Sequence, residues 1–416
     1  MRKNIFFITF CLLVISSIVF IFLEWFIPGN VASGDSGYFY TSVFQEKSSF
    51  YYSWTPERGS GLGGSNIPFL WSALDTAIPI FLFGNLFHFS WSLILKVAYG
   101  YPFLILSLFS ASYLFSKVFT NRKFSLLAAL VYTVNTYILM IVGGGQFLIG
   151  LSYALAPLVI YLSSVCIETI HSGHFTRKLF FSLLLGLLLA VQVLFDLRIV
   201  YITLVAVFFL LIMYAIYKSQ SGTDSLKNKT LLALNYLVYI FVIPGCIVGL
   251  LHAFWILPTL MVHQNPIQQL GSAYSTTNAV TYLSFAKFEN SLGLLHPNWP
   301  ENIFGLTHFM RPEFIFLPII AFSSLFFIGK QKTKEGKRED MFVVYFALLA
   351  LVGIFLAKGA NDPFGGIYLW MFGHIPGFDM FRDSTKWYVL IAIGYSMLIP
   401  YTVSKVYEFL QRRLGK

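Results

Sequence analysis

The chain has 416 residues, of which 57% are hydrophobic and only 11% are charged, and its mean hydropathy is +0.72. Soluble globular proteins carry roughly 25% charged residues, so this composition excludes a soluble globular domain and predicts an all-α polytopic membrane protein. The formal net charge of +10 lies mainly in the connections between apolar segments. There it indicates orientation in the membrane and not nucleic-acid binding.

Apolar runs of about 20 residues, each long enough to cross a hydrocarbon core of ~30 Å, recur along the whole chain. Asp75, Pro79 and Gly84 make one of them, 67–87, a poor span, so we interpret it as re-entrant or interfacial. The others predict a single domain, residues 1–416, with about ten transmembrane helices (nine to twelve). The apolar segments are 4–27, 67–87, 91–116, 124–142, 147–167, 178–195, 199–217, 230–262, 313–329, 341–358 and 387–410.

The basic connections fix the predicted orientation. With ten spans, the connections 117–123, 177–178, 218–229 and 330–338 fall on the same side as both termini. By the positive-inside rule, this side is expected to face the cytoplasm, and the protein is expected to lie in the plasma membrane. Three long loops are then extracytoplasmic, and the first is expected to carry interfacial or re-entrant helices. These loops are 28–90, 263–312 and 359–386.

The first extracytoplasmic loop contains two carboxylates and several aromatic residues. Asp35, in Gly-Asp-Ser-Gly-Tyr at residues 34–38, follows the first apolar segment closely enough to reach a lipid headgroup. An Asx turn between glycines explains Asp35 equally well. Tyr38 and Trp54 fit either an aromatic belt at the membrane surface or a surface on which sugars stack. Glu57 is a second carboxylate in this loop.

Asp196 and Arg198 lie between two apolar segments with almost no connection. They either neutralise each other or form part of a functional site, since ionisable groups at membrane depth are costly. In the second interpretation, Arg198 binds a lipid phosphate through its planar donor fork. Asp196 then orients Arg198, binds a cation or binds an acceptor hydroxyl.

The segment 376–387 leads into the last span and carries Arg382 and Lys386. Asp383 or Ser384 is a natural helix N-cap there, and Trp387 is expected to anchor at the membrane interface. The two cations are four residues apart and share a face if the first helical turn includes both. They are either snorkelling side chains beside a capped helix or a phosphate site at a helix N-terminus.

The loop 263–312 is rich in polar and aromatic residues, among them His263 and Trp299, which are candidates for contacts with a sugar or an acceptor. His296 and His308 lack the paired spacing of a zinc site. The chain contains no Walker motif and no His-Glu-x-x-His sequence. Nucleotide-driven pumps and helix-borne zinc proteases are therefore disfavoured.

The whole chain resembles the GT-C glycosyltransferases, with one hydrophobic helix, an acid early in a long first external loop, and a bundle of spans. Three motifs are similar to the membrane domain of the arabinofuranosyltransferase D type and to YfhO-like membrane proteins. They are Gly34-Asp35, Trp54 with Gly59-x-Gly61-x-Gly63, and Pro376-Gly377 with Phe381-Arg382-Asp383-x-x-Lys386. The large carbohydrate-binding extension of the arabinofuranosyltransferase D type does not follow the last span here.

The resemblance implies an inverting transfer of a sugar from a polyprenyl-phosphate donor to a glycan, lipid or protein acceptor at the outer leaflet. The family's loop aspartate corresponds to Asp35, which would deprotonate the acceptor hydroxyl. Arg198, Arg382 and Lys386 are the candidates for holding the donor phosphate. Glu57 and Asp196 are candidates for a second carboxylate or for a cation ligand. Some relatives use a divalent cation, and the sequence leaves this cofactor open.

Other functions fit a chain of this kind. A flippase or transporter for lipid-linked glycans would also have about ten helices, but it should line a central cavity with charge. The predicted spans are nearly free of charge, which favours an enzyme acting at the membrane surface. A polymerase or ligase for lipid-linked glycans and a noncatalytic assembly partner remain as further alternatives.

Overall fold

The computed structural model describes residues 2–29, 54–55, 64–65, 74, 78–172, 174–219, 226–261, 276–297, 312–329 and 333–413. These residues are almost entirely helical. A two-residue antiparallel ladder pairs Trp54 with Ser65 and Thr55 with Gly64. Apart from this short ladder, the described elements are helices, which confirms the expected all-α fold.

Sixteen helices are used below to locate the site, and shorter 3₁₀ turns connect some of them. They are α1 (Arg2–Ile21), α2 (Leu23–Phe26), α3 (Trp91–Val118), α4 (Ser125–Thr133), α5 (Thr136–Gly143), α6 (Phe147–Ser172), α7 (Phe175–Phe195), α8 (Leu197–Ser219), α9 (Thr230–Leu251), α10 (Ala253–Met261), α11 (Thr277–Tyr282), α12 (Phe288–Leu292), α13 (Pro312–Ser323), α14 (Lys334–Ala357), α15 (Gly365–His374) and α16 (Tyr388–Arg413).

Seven helices in the described part of the chain are long and apolar enough to cross a membrane. They are α3, α6, α7, α8, α9, α14 and α16 with the turn before it. The pair α4 and α5 adds an eighth if it forms one bent span. The protein is thus a membrane-embedded polytopic helical protein. The finer count of about ten crossings stays a prediction. Within 67–87 the structure describes residue 74 and residues 78–87, of which Ile80–Leu86 form a π-helical segment.

The segment 124–142 was expected to be continuous, but α4 and α5 are bent by 51° at residues 134–135. Asn135 explains the break. Its side-chain oxygen accepts a hydrogen bond from the backbone of Ile138 at 3.1 Å, which caps α5. Its amide donates to the carbonyl of Tyr132 at 2.7 Å, which closes the end of α4. One side chain therefore satisfies backbone groups on both sides of the bend.

Helix α16 lies at the centre of the bundle. It packs against α14, α4 and α13. Of its most apolar stretch of 18 residues, 83% is buried within the protein. The corresponding share for α9 is 11%, so α9 lies at the periphery and presents most of its surface to lipid.

Two glycines bring α14 and α16 close together. A Cβ atom on Gly394 of α16 would lie 2.7 Å from the carbonyl oxygen of Phe346 and 2.8 Å from the Cβ of Ala350. A Cβ atom on Gly353 of α14 would lie 2.9 Å from the backbone nitrogen of Ile391. Small residues allow such close backbone approach, which drives helix association where lipid removes the hydrophobic effect.

The basic connections meet at one end of the bundle. Arg338 in the first turns of α14 pairs with Glu168 near the end of α6 at 3.0 Å. Its Nη1 also donates to the carbonyl of Lys117 at 3.3 Å. Lys405 in the last turns of α16 lies 3.5 Å from Glu339. These contacts bring described parts of the connections 117–123 and 330–338 to one end of the bundle, which we call the basic end, and the side of the membrane on which it lies stays a prediction.

Replacing Gly394 by alanine is expected to destabilise the bundle, because the added methyl group meets backbone atoms that cannot rotate away. Overpacking of this kind lowers the free energy of unfolding by about 1–3 kcal/mol. Thermal unfolding in one detergent measures the change. Gly249→Ala in α9 is the matched control, since its Cβ would meet nothing within 4 Å. Equal unfolding midpoints for Gly394→Ala and wild type would refute the close contact.

Candidate functional site

Several polar side chains meet at the end of the bundle opposite the basic end. Helix α8 begins there, α14 ends there, and α16 starts there after a 3₁₀ turn, Ser384–Trp387. We use the name polar cluster for the six residues described in this subsection: Tyr137, Asp196, Arg198, His296, Asp383 and Lys386.

Asp196 occupies the gap between α7 and α8 and is 1% exposed. Its Oδ1 accepts hydrogen bonds from the backbone of Arg198 at 2.9 Å and of Ile199 at 3.1 Å, so it caps α8. Its Oδ2 lies 2.5 Å from Nη2 of Arg198. The carboxylate thus holds the helix start and the guanidinium together. A buried acid is tolerated here because both oxygens have partners.

Arg198 is held on one side and open on the other. Nε and Nη2 donate to Asp196, while 35% of the side chain remains exposed. The two ionic groups neutralise each other, as one interpretation of the sequence expected. A guanidinium held in this way keeps a fixed planar fork of donors, which can bind two oxygens of an anion such as a phosphate.

Asp383 and Lys386 form a second ion pair, in which Nζ lies 2.7 Å from Oδ2. Asp383 also caps the turn before α16, where its Oδ1 accepts from the backbone of Thr385 at 3.0 Å and from its hydroxyl at 2.6 Å. Both side chains are buried. The predicted N-cap is therefore confirmed, and Lys386 is an ion-pair partner within the protein and not a snorkelling cation.

The residues that follow α12 are tied to two helices of the bundle. The hydroxyl of Thr136 donates to the carbonyl of Leu294 at 2.7 Å and accepts from the backbone of His296 at 2.9 Å. The hydroxyl of Tyr388 donates to the carbonyl of Leu295 at 2.8 Å. These bonds place the His296 ring 5.8 Å from the Tyr137 ring and 5.4 Å from the Tyr388 ring, between centroids.

His296 and Tyr137 are buried without a hydrogen-bond partner for their side-chain polar atoms among the described residues. His296 is 8% exposed and neither ring nitrogen makes a hydrogen bond. The same holds for the hydroxyl of the fully buried Tyr137. An unsatisfied buried polar group costs about 1–3 kcal/mol. Two of them side by side make this a candidate site for a polar ligand.

The two ion pairs and the two unpartnered groups belong to one site. The hydroxyl of Tyr137 interacts electrostatically with Asp383, Asp196 and Arg198. Asp383 interacts in the same way with Arg198 and with His296. The cluster contains two cations and two carboxylates, so its formal charge is balanced when His296 is neutral.

Burial and charge set the ionisation of the two groups that lie outside the spans. Burial lowers the pKa of His296 to about 4, against the opposing effects of Asp383 and the Pro297 backbone. His296 is therefore neutral near pH 7. Burial alone would raise the pKa of Asp383, but the charge and hydrogen bond of Lys386 and the hydrogen bond of Thr385 outweigh it and lower this pKa to about 2.

Aromatic rings form one wall beside the second ion pair. Trp387 lies 4.6 Å from Phe381, 5.5 Å from Phe378 and 6.4 Å from Tyr201, between ring centroids. Trp387 is 1% exposed. The expectation that it anchors at the membrane interface is therefore wrong, because the segment 376–387 folds back over the bundle and buries the indole.

The structure brings together three of the sequence-predicted site residues, Asp196, Arg198 and Lys386. Arg382 is exposed, whereas Lys386 is buried. The two cations do not share a helical face, since the turn that leads into α16 begins after Asp383. Their joint role in holding a phosphate stays a prediction.

Most of the other predicted residues lie outside the described residues. These are Asp35, Tyr38, Glu57, His263 and Trp299. For Trp54 the structure describes the backbone in the short ladder. Their expected roles stay predictions.

Sequence reasoning missed Tyr137 entirely and considered His296 only as one of the loop residues that could line an acceptor groove or, weakly, bind a metal. The signal for Tyr137 was Asn135, a helix-capping residue inside an apolar run, which marks the bend that turns Tyr137 toward the cluster. Nothing in the sequence near His296 indicates that its ring lies between two tyrosines, because Tyr137 and Tyr388 come from distant parts of the chain.

The described residues do not fit a divalent cation. Among them, no three His, Cys, Asp or Glu side chains lie together as a ligand set. The carboxylates of Asp196 and Asp383 are already bound by cationic side chains and helix starts. No chemical step below depends on a metal.

The protein was compared with protein families, with curated proteins and with solved structures. No family model matches the chain, and neither a curated protein nor a solved structure is significantly similar to it.

Replacing Lys386 by methionine is expected to destabilise the protein by about 3–5 kcal/mol, because the buried Asp383 loses its counter-charge. The double variant Asp383→Asn/Lys386→Met should recover part of this loss. Thermal unfolding of the single and double variants measures both effects. Arg338→Met is the matched control, since its partner Glu168 is 43% exposed and stays hydrated. Equal losses for Lys386→Met and Arg338→Met would contradict the buried pair.

The stability of the protein should fall in two steps as the pH is lowered. Between the ordinary pKa of 6.5 and about 4, the unfolded chain binds a proton at His296 that the folded protein excludes. Between 3.8 and about 2, the same holds for Asp383. Folded stability therefore decreases through both windows. Unfolding followed across pH should show a smaller loss from pH 6.5 to 4 in His296→Phe, and an unchanged profile would refute the buried neutral histidine.

Proposed function

We propose that the protein is a membrane glycosyltransferase of the GT-C type. It transfers a sugar from a polyprenyl-phosphate donor to a glycan, lipid or protein acceptor, with inversion, at the extracytoplasmic face of the plasma membrane. The observation that carries the proposal is the polar cluster, in which two buried ion pairs and two unpartnered polar side chains meet at one end of the bundle.

The position of the cluster suits a donor that is half lipid and half sugar. A polyprenyl chain lies in the hydrocarbon layer, and its phosphate and sugar lie at the membrane surface. The spans supply apolar surface along their length, with exposed side chains such as Phe208 and Ile212 on α8. The same helix begins at Asp196 and Arg198. One helix thus offers lipid contacts and a phosphate-binding cation in the order that the donor needs.

The cations of the cluster suit the charge that develops in the reaction. A polyprenyl-phosphate sugar is a phosphodiester with one negative charge. When the bond from the anomeric carbon to the phosphate oxygen breaks, the electron pair stays on that oxygen and the leaving phosphate gains a second charge. Arg198, whose side chain is partly exposed, meets this charge, and preorganised cations stabilise it most at the transition state.

The uncharged groups of the cluster suit the sugar. The hydroxyl of Tyr137 and the ring nitrogens of His296 have no partner within the described residues. A neutral imidazole offers one donor and one acceptor, which matches the two roles of a sugar hydroxyl. The rings of Tyr137 and Tyr388 stack on each other at 5.9 Å between centroids and add aromatic surface beside these polar groups.

The general base assigned to this reaction is Asp35, and this assignment rests on the resemblance of the loop motif to the GT-C family. The acceptor oxygen attacks the anomeric carbon from the face opposite the phosphate, and its proton passes to the Asp35 carboxylate. The attack from the opposite face produces inversion. Glu57, Tyr38, Trp54, His263 and Trp299 are assigned to the surroundings of the acceptor on the same basis.

Asp35→Asn is expected to abolish sugar transfer, with a loss of about 10²–10⁴-fold in rate, because the amide cannot accept the proton. Donor binding should persist. The measurement is transfer or release of sugar by the purified protein over a panel of polyprenyl-phosphate sugars. Full turnover by Asp35→Asn would show that Asp35 is not the general base. If the protein moves a lipid-linked glycan across the membrane of proteoliposomes without any turnover of a donor, the result would contradict the enzyme and support a flippase.

The polar cluster is tested separately with variants that keep its charge. Arg198→Lys retains the ion pair but loses the planar fork, and Tyr137→Phe removes one hydroxyl. Each should lower kcat/KM for the donor by about 2–10-fold, the value of a hydrogen bond. Arg338→Lys at the basic end is the matched control and should be unchanged. Unaltered kinetics in both cluster variants would show that the cluster takes no part in the reaction.

A further inference from the structure

A cavity lies at the basic end of the bundle, away from the polar cluster. It has a volume of about 760 Å³ and lies between the last turns of α8 and the first turns of α14. The α14 residue of the lining that is nearest the polar cluster is Val344, and it still lies 13 residues, or about 20 Å along the helix, before the end of α14 at Ala357. The cavity is therefore separate from the site assigned to sugar transfer.

The charged groups of the cavity are mainly basic. Lys218, Lys334 and Lys337 line it together with one acid, Asp340. The Oδ2 atom of Asp340 accepts a hydrogen bond from the backbone of Gly329 at 2.9 Å, which ties the acid to the end of the preceding segment. Lys334 and Lys337 form no ion pair with a described residue. Three cations and one acid leave the lining with a positive balance.

A smaller neighbouring cavity of about 360 Å³ shares Lys218 and Lys334 and adds the acids Glu168 and Glu335. Glu168 is paired with Arg338 at 3.0 Å, so these two charges neutralise each other. Glu335 is exposed, as are Lys334 and Lys337, and the two cavities together hold four cations (Lys218, Lys334, Lys337 and Arg338) and three acids (Asp340, Glu168 and Glu335). The surroundings leave the positive balance of the larger cavity in place.

The rest of the cavity lining is apolar and opens toward lipid. Ile216 of α8 and Val344 of α14 line the cavity and are 49% and 37% exposed. Both lie in helices that are long and apolar enough to span the membrane. The cations therefore lie at the end of the bundle, and the apolar surface continues from them toward the hydrocarbon layer. A small inorganic anion would use the cations alone, whereas a phospholipid would use both surfaces.

We propose that this cavity binds an anionic phospholipid. Its phosphate headgroup contacts the three lysines, and its acyl chains lie along α8 and α14. Basic pockets between transmembrane helices recognise anionic headgroups, with about 1 kcal/mol for each cation near the surface. The lipid fills the gap between two helices that belong to different parts of the chain.

The test is native mass spectrometry of the purified protein in mixed micelles that contain phosphatidylglycerol and phosphatidylcholine. Wild type should retain phosphatidylglycerol in preference to phosphatidylcholine. Lys334→Gln/Lys337→Gln should bind phosphatidylglycerol about tenfold more weakly or worse. The matched control is Arg122→Gln/Lys123→Gln, which removes two exposed charges at the same end, outside the cavity, and should retain the lipid.

One further variant and one further ligand make the result decisive. Lys334→Arg/Lys337→Arg should keep binding, which separates loss of charge from loss of folding. Equal loss of lipid in the Arg122 and Lys123 control, or equal retention of both lipids by wild type, would overturn the proposal. So would stabilisation against heat by inorganic phosphate that equals the stabilisation by phosphatidylglycerol, because a free anion would then be the ligand.

Discussion

The close contact between α14 and α16 organises the rest of the bundle. Gly353 and Gly394 let the two backbones approach within van der Waals distance, and in a membrane such packing replaces the hydrophobic effect as the force between helices. Because α16 is also the most buried of the long helices, the other elements pack around this pair. The relative positions of the groups at both ends of the pair follow from its register.

Two buried ion pairs lie at the ends of that helix pair, and a further buried cation, Lys358 at the end of α14, donates to the carbonyl oxygen of Asn361 at 2.7 Å. Asp383 and Lys386 form an ion pair where α16 begins, and Glu339 lies 3.5 Å from Lys405 near its other end. A membrane protein can keep ionisable groups at such depth when each has a partner. Helix starts contribute as well, since Asp196 and Asp383 both cap the elements that carry their cationic partners. The same carboxylates therefore stabilise local structure and set the geometry of the polar cluster.

The sequence predicted part of this cluster for a clear reason. Asp196, Arg198 and Lys386 stand next to long apolar runs, where a charge is conspicuous. Arg382 was conspicuous for the same reason, yet it is exposed, because the preceding 3₁₀ turn ends before Asp383 and the next begins after it. Tyr137 escaped notice, and His296 was not connected with these ion pairs. A tyrosine in an apolar run and a histidine in a polar loop are ordinary in sequence, and their importance arises from being buried without a partner.

The sequence by itself determined that the chain is a polytopic helical membrane protein, and it predicted that the basic connections lie on one side. Composition, the length of apolar runs and the spacing of Lys and Arg are local properties, and lipid imposes its requirements on each segment separately. Only the tertiary structure decided that α4 and α5 bend at Asn135, that Trp387 is buried, and that Tyr137 and His296 lie beside two ion pairs. These features depend on contacts between segments far apart in the chain, and no single segment contains the information that specifies them.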